Sequence, residues 1–259
     1  MADAFFAADG DAFVATGLTR GPWSAQHQHA GPPAALLARA VERALPEGSG
    51  LARLTVEILR PLPIAAYRTA TQVLRAGRKV QWLSADLLDA AGERVARAHA
   101  VAMRVTRLDL PVHGDPLDDP LPDPAASQPY RFDFFTGDVG YHTAMELRLA
   151  RGTFGRGRVA MWMRMRHPLV SGEAPSPVQR VLIAADSGNG VSMALDPRRF
   201  SFVNPDLTVY LHRPPAGEWV CLDARTIPQE HGIGLADTRL LDEQGPIGRS
   251  VQSLLIEAR

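Results

Sequence analysis

The sequence of 259 residues predicts an α+β architecture made twice, with one apolar helix wrapped by a curved antiparallel sheet in each half. Three observations lead there. Leu54-Thr55-Val56, three further residues and Arg60-Pro61 return 153 residues later as Leu207-Thr208-Val209, three residues and Arg213-Pro214. The stretch LLDAAGERVAR at 87–97 returns as LLDEQGPIGR at 240–249, one residue shorter. Between the copies, 107–133 is loaded with proline, which removes backbone donors, and aspartate, which favours turns. It reads as a linker, leaving 1–106 and 134–259 as two folded units.

The elements follow in the same order in each unit. PPAALLARAVERAL at 32–45 opens on proline and is apolar almost all round, as a buried helix should be. Runs with strand character follow at 51–60, 67–76, 79–89 and 93–105. In the second unit the helix is expected at 176–190, with a Gly-rich exit, and the strands at 201–212, 217–226, 231–241 and 247–257.

Composition narrows the function. The 28 basic and 28 acidic residues balance, which removes any electrostatic case for nucleic acid or an anionic membrane. Lys79 is the single lysine, and Arg39, Arg43 and the other scattered arginines read as solvated surface. Cys221 is the single cysteine, so no intrachain disulfide can form, and a cytoplasmic location is expected. It reads as a buried strand thiol. The first residues carry acids where a signal peptide needs positive charge, and no apolar run approaches a membrane span.

In a fused repeat, chemistry should sit where one copy carries polar groups that the other lacks. Asp186 follows the apolar run Val181 to Ala185, where a carboxylate is costly unless hydrogen-bonded; the first helix has none before Glu42. Asn204 corresponds to Leu51, and Gln252, after the one-residue gap, to Ala100. Each also has a plain reading. Asp186 could end its helix, Asn204-Pro205 is a common turn pair, and Gln252 could be a satisfied core amide.

The segments HAGPPAALLARA, AAD, NPDLTVYLHRP and RSVQS, with the repeated order of elements, resemble the double-hotdog acyl-CoA thioesterases of type II. That resemblance implies two fused hotdog units and a site in which an aspartate on the second helix, a hydroxyl residue on the next strand and a glutamine on the last strand hold a water. Asp186 and Gln252 match; Asn204 stands where the family has threonine. The implied chemistry is hydrolysis of an acyl-CoA thioester, with Asp186 as base and the two amides orienting the water. His29 shapes the start of the first helix, and backbone N–H groups around Gly31 polarise the carbonyl. A homo-oligomer without metal or cofactor is expected.

Other readings compete. His27-Gln28-His29 invites a metal but has no second ligand cluster. DSGNG lacks the lysine of a phosphate loop, and no Gly-x-Ser-x-Gly is present. Asp206 and His212, with five residues between them, imperfectly match the Asp and His of hotdog hydratases. A non-catalytic acyl-CoA or lipid-binding module is a further alternative. Phe134, Phe135, Trp82 and Trp162 could serve core or acyl pocket.

Overall fold

A computed structural model describes residues 3–111, 114, 120–132, 134–135 and 137–259. Strands β1 (Phe6–Asp9) and β2 (Ala12–Ala15) precede helix α1 (Gly31–Ala44), which is followed by β3 (Ser49–Ile58), β4 (Ala66–Ala76), β5 (Val80–Leu88) and β6 (Arg94–Arg104). Then come β7 (Gln128–Tyr130), the single-turn α2 (Tyr141–Ala144), β8 (Met145–Gly152), β9 (Arg158–Met165), α3 (Pro177–Ala185) and α4 (Gly188–Val191). The chain ends with β10 (Phe200–Val203), β11 (Asp206–Leu211), β12 (Trp219–Pro228), β13 (Ile233–Asp242) and β14 (Gly245–Ala258).

The strands form one antiparallel sheet in the order β1-β2-β4-β5-β6-β3-β11-β14-β13-β12-β9-β8-β7, with β10 also on β14. The sheet curls around α1 and α3, which pack on each other. This is a double hotdog. α1 is buried from Gly31 to Val41 and α3 from Val181 to Ala185, as their apolar sequences require. At the centre, β3 and β11 pair with Thr55 opposite Thr208, the same residue of the two copies, their hydroxyls 3.1 Å apart. The repeated turn also has a common cause. Asp89 Oδ1 accepts the Ala91 N–H at 2.9 Å, and Asp242 Oδ1 accepts the Gln244 N–H at 2.8 Å.

Four expectations need correction. The strand at 201–212 is two strands, because Pro205 cannot donate to the ladder; β10 pairs only with the end of β14, while β11 lies between β3 and β14. The helix at 176–190 breaks after Ala185, with Asp186 as C-cap and a separate turn at α4. Each helix is preceded by a strand pair that the element order left out, β1–β2 before α1 and β8–β9 before α3; β2 pairs with β4 as β9 pairs with β12. Arg39 is not solvated surface. It is 5% exposed, and its guanidinium forks onto Glu173 at 2.7 and 2.5 Å, so a buried charge is paired. β7 lies within the 107–133 stretch and extends the sheet beside β8.

Cys221 is fully buried beside Trp162 and Trp219, and burial pushes its thiol well up. Among the described residues no helix is long and apolar enough to cross a membrane.

Candidate active site

Three local features bring the polar residues together. Inward positions alternate along β14, so Gln252 shares a face with Leu254 and Ile256 and points at the C-terminal end of α3. The break at Asn204-Pro205 swings the Asn204 amide to the same place. The end of α3 supplies Asp186, whose side chain is 4% exposed.

Asp186 is the hub. Its Oδ1 accepts from Asn204 Nδ2 at 2.8 Å and from Gln252 Nε2 at 3.2 Å; the Gln252 amide also reaches the Asp186 carbonyl at 3.1 Å. Its Oδ2 lies 2.9 Å from His29 Nδ1, and the Gly31 backbone N–H reaches the same Nδ1 at 3.1 Å. Gln252 is itself fixed, because its Oε1 accepts from the Asn189 N–H at 3.3 Å. Burial alone would push the Asp186 carboxyl up. The imidazole of His29, the Asn204 amide and the Gly31 N–H together hold it below the usual carboxylate range.

Asp186, Asn204 and His29 line a cavity of about 410 Å³. Its walls are apolar and aromatic, with Trp23, Phe132, Phe134, Phe135 and Phe202 prominent. Gln252 and Gly31 do not line it: Gln252 holds the carboxylate from behind, and the Gly31 N–H is engaged with His29 Nδ1. A Cβ on Gly31 would collide with the Ile183 carbonyl oxygen, so glycine is there for the close approach of α1 to α3. Trp162 and Trp82 lie elsewhere: Trp162 packs with Trp219 and donates to the Pro122 carbonyl at 2.9 Å, and Trp82 lies under the Arg75 guanidinium.

Two further residues stand at this site for which the sequence suggested no role in it. Tyr141 stacks on the His29 ring, with centroids 3.8 Å apart and planes 4° apart. Its hydroxyl donates to the Ile183 carbonyl at 2.7 Å and meets Ser187 Oγ at 3.0 Å. Burial pushes the phenol well up, so it stays neutral. Gln28 lines the cavity with its Oε1 sealed from solvent and unpaired. No repeat or spacing marked Tyr141, but the position of Gln28 beside His29 could have. Asp206 and His212 lie outside the cavity, occupied respectively by the Ser253 N–H and the Pro246 carbonyl.

With this geometry in view, the chain can be set beside other proteins. Residues 19–106 match the acyl-CoA thioesterase N-terminal domain family and residues 113–256 the acyl-CoA thioesterase C-terminal domain family. No curated protein sequence matches the chain. Among solved structures, a hot dog fold protein of unknown function from Alicyclobacillus acidocaldarius is 19% identical, with a TM-score of 0.76 over 99% of this chain and 97% of that one. The acyl-CoA thioesterase II TesB2 of Mycobacterium marinum is 15% identical, with a TM-score of 0.69 over 97% and 94%. The tesB protein of Mycobacterium avium subsp. paratuberculosis is 16% identical, with a TM-score of 0.70 over 95% and 92%. These structures share the fold. The two domain matches span nearly all of the sequence, and the chain belongs to the acyl-CoA thioesterase family.

Proposed function

We propose that this protein hydrolyses an acyl-CoA thioester to free acid and CoA, at a centre formed by Asp186, Asn204 and Gln252. What carries the reading is a buried, ionised Asp186 held by its donors at the wall of an aromatic cavity. A thioester carbonyl is already electrophilic. Hydrolysis therefore needs a positioned water, a proton acceptor and a donor for the developing oxyanion.

The aromatic walls suit an apolar acyl group. Asn204 Nδ2 has two hydrogens and gives one to Asp186, which leaves the other to reach a carbonyl in the cavity. Gln252 holds the carboxylate rotamer, so the charge does not turn away. His29 and Gly31 set the other carboxylate oxygen and the start of α1. The lipid-binding alternative uses the same cavity but leaves the buried charge without a purpose. The hydratase alternative has no support, since Asp206 and His212 are engaged elsewhere.

The test is thiol release across acyl-CoAs of increasing chain length and with aryl acyl groups, for wild type and Asp186→Asn. Wild type should turn over at least one substrate. An amide has one acceptor oxygen where the carboxylate offers two to Asn204, Gln252 and His29, and kcat/KM should fall about 100- to 10,000-fold. Binding without thiol release would favour the non-catalytic module. Asp186→Asn turnover within a few-fold of wild type would remove Asp186 from the mechanism.

A further inference from the structure

We infer that His29, through its Nε2, is the group that takes the proton from the attacking water, and that Asp186 acts by orienting His29. This rests on the thioesterase reading and assigns its proton acceptor. A carboxylate offers about four acceptor positions, two on each oxygen. Three are used here, by Asn204 and Gln252 on Oδ1 and by His29 on Oδ2, while the Gly31 N–H stands beside them and points at His29 Nδ1 at 3.1 Å. With its side chain only 4% exposed, Asp186 leaves little room for a water beside these donors.

His29 has the opposite arrangement. Nδ1 has an ionised carboxylate oxygen at 2.9 Å and the Gly31 N–H at 3.1 Å; the full charge at the shorter distance outweighs the amide dipole and puts the ring proton on Nδ1, so Nε2 is left as the basic atom. No hydrogen-bond partner of Nε2 exists among the described residues. Among those residues the side-chain atoms shut off from solvent without a partner are Gln28 Oε1, Arg53 Nε and His142 Nδ1. Nε2 of His29 is not one of them, so it opens to the cavity that the residue lines. The ring cannot swing, because it lies flat on Tyr141, which is pinned by Ile183 and Ser187. A carboxylate fixing an imidazole by Nδ1, with Nε2 facing substrate, is the working half of a hydrolytic triad; here water replaces the nucleophilic side chain.

The step balances. The water oxygen bonds to the thioester carbon while one of its protons passes to Nε2, and the carbonyl oxygen becomes the oxyanion. Collapse of that adduct re-forms the carbonyl and breaks the C–S bond. The proton on Nε2 goes to the departing sulfur, giving CoA thiol and the acid. Asp186 stabilises the imidazolium between the two events.

The experiment measures thiol release by wild type, His29→Asn and His29→Ala, with melting temperatures in parallel. Asparagine keeps an N–H near the Nδ1 position for Asp186 but has no base. Its kcat should fall about 100- to 10,000-fold with KM little changed and melting close to wild type. Added imidazole, corrected for its reaction with acyl-CoA alone, should restore part of the His29→Ala turnover. His29→Asn turnover within a few-fold of wild type overturns the assignment. So does a His29→Ala defect that imidazole leaves untouched, which would make the ring only a support. A wild type that releases no thiol would end the thioesterase reading itself, and the role of His29 with it.

Discussion

Asn204 has two amide hydrogens where the family's threonine has one hydroxyl hydrogen, and this difference can be measured. One hydrogen is committed to Asp186 at 2.8 Å. Asn204→Leu, which copies the counterpart residue Leu51, removes both and should lower kcat by about 100- to 1,000-fold, the usual cost of losing one oxyanion donor. Asn204→Thr should recover only part of this, because its single hydrogen goes to the carboxylate. Steady-state thiol release decides between these outcomes; equal activity of the Thr and Asn forms would remove the second hydrogen from the mechanism. The polar trio itself was legible in the sequence, since Asp186, Asn204 and Gln252 each interrupt an apolar pattern that the other copy keeps. The tyrosine under His29 was not. Tyr141 and His29 are brought together by packing across the chain, and no local pattern encodes that contact.

At the scale of elements, the contact between α1 and α3 sets the distance from His29 to Asp186. Gly31 lies against the backbone of α3, and any side chain there pushes into the Ile183 carbonyl. Gly31→Ala should cost about 1–3 kcal/mol, which at about 2–4 °C per kcal/mol is a readily measured fall in melting temperature. It should also lower activity by separating the pair. Gly190→Ala is the control, since no atom lies within 4 Å of the new methyl group and melting should hardly move. Strands β3 to β6 and β11 to β14 were readable because their residues and turns are repeated. The β1–β2 hairpin was not, being two strands of four residues each with little alternation. β8–β9 carried a usable signal in MELRLARG, where Met145, Leu147 and Leu149 alternate with Glu146, Arg148 and Ala150.

Across the whole molecule, acid should act through several carboxylates at once. The Arg97 fork holds Asp86, and the Arg39 fork holds Glu173, below the usual range; Asp186 lies low in spite of its burial. The unfolded chain takes up protons on these groups near pH 4, the ordinary carboxylate value, before the folded chain does. Their stabilisation is therefore complete above about pH 4 and is lost as pH falls through the lower folded values. Melting temperature against pH should be flat on the neutral side of this point and fall below it, less steeply in Glu173→Gln. The asymmetry between copies has its own test. Gln252→Ala should depress turnover strongly, whereas Ala100→Ser, at the counterpart position, should stay near wild type because it disturbs packing by only about a kcal/mol. Equal losses at both would mean that packing, and not the Asp186 centre, is being measured.

Thr55 facing Thr208 has a consequence for how such a centre can arise. Two identical chains meeting at that seam would carry every substitution twice, so a buried aspartate useful at one end would be imposed on the other. Joined in one polypeptide, the copies escape that constraint. One end can keep leucine and alanine at positions 51 and 100, while the other carries the buried polar groups of the Asp186 centre. The symmetry survives in the backbone, and its breaking is confined to a handful of side chains.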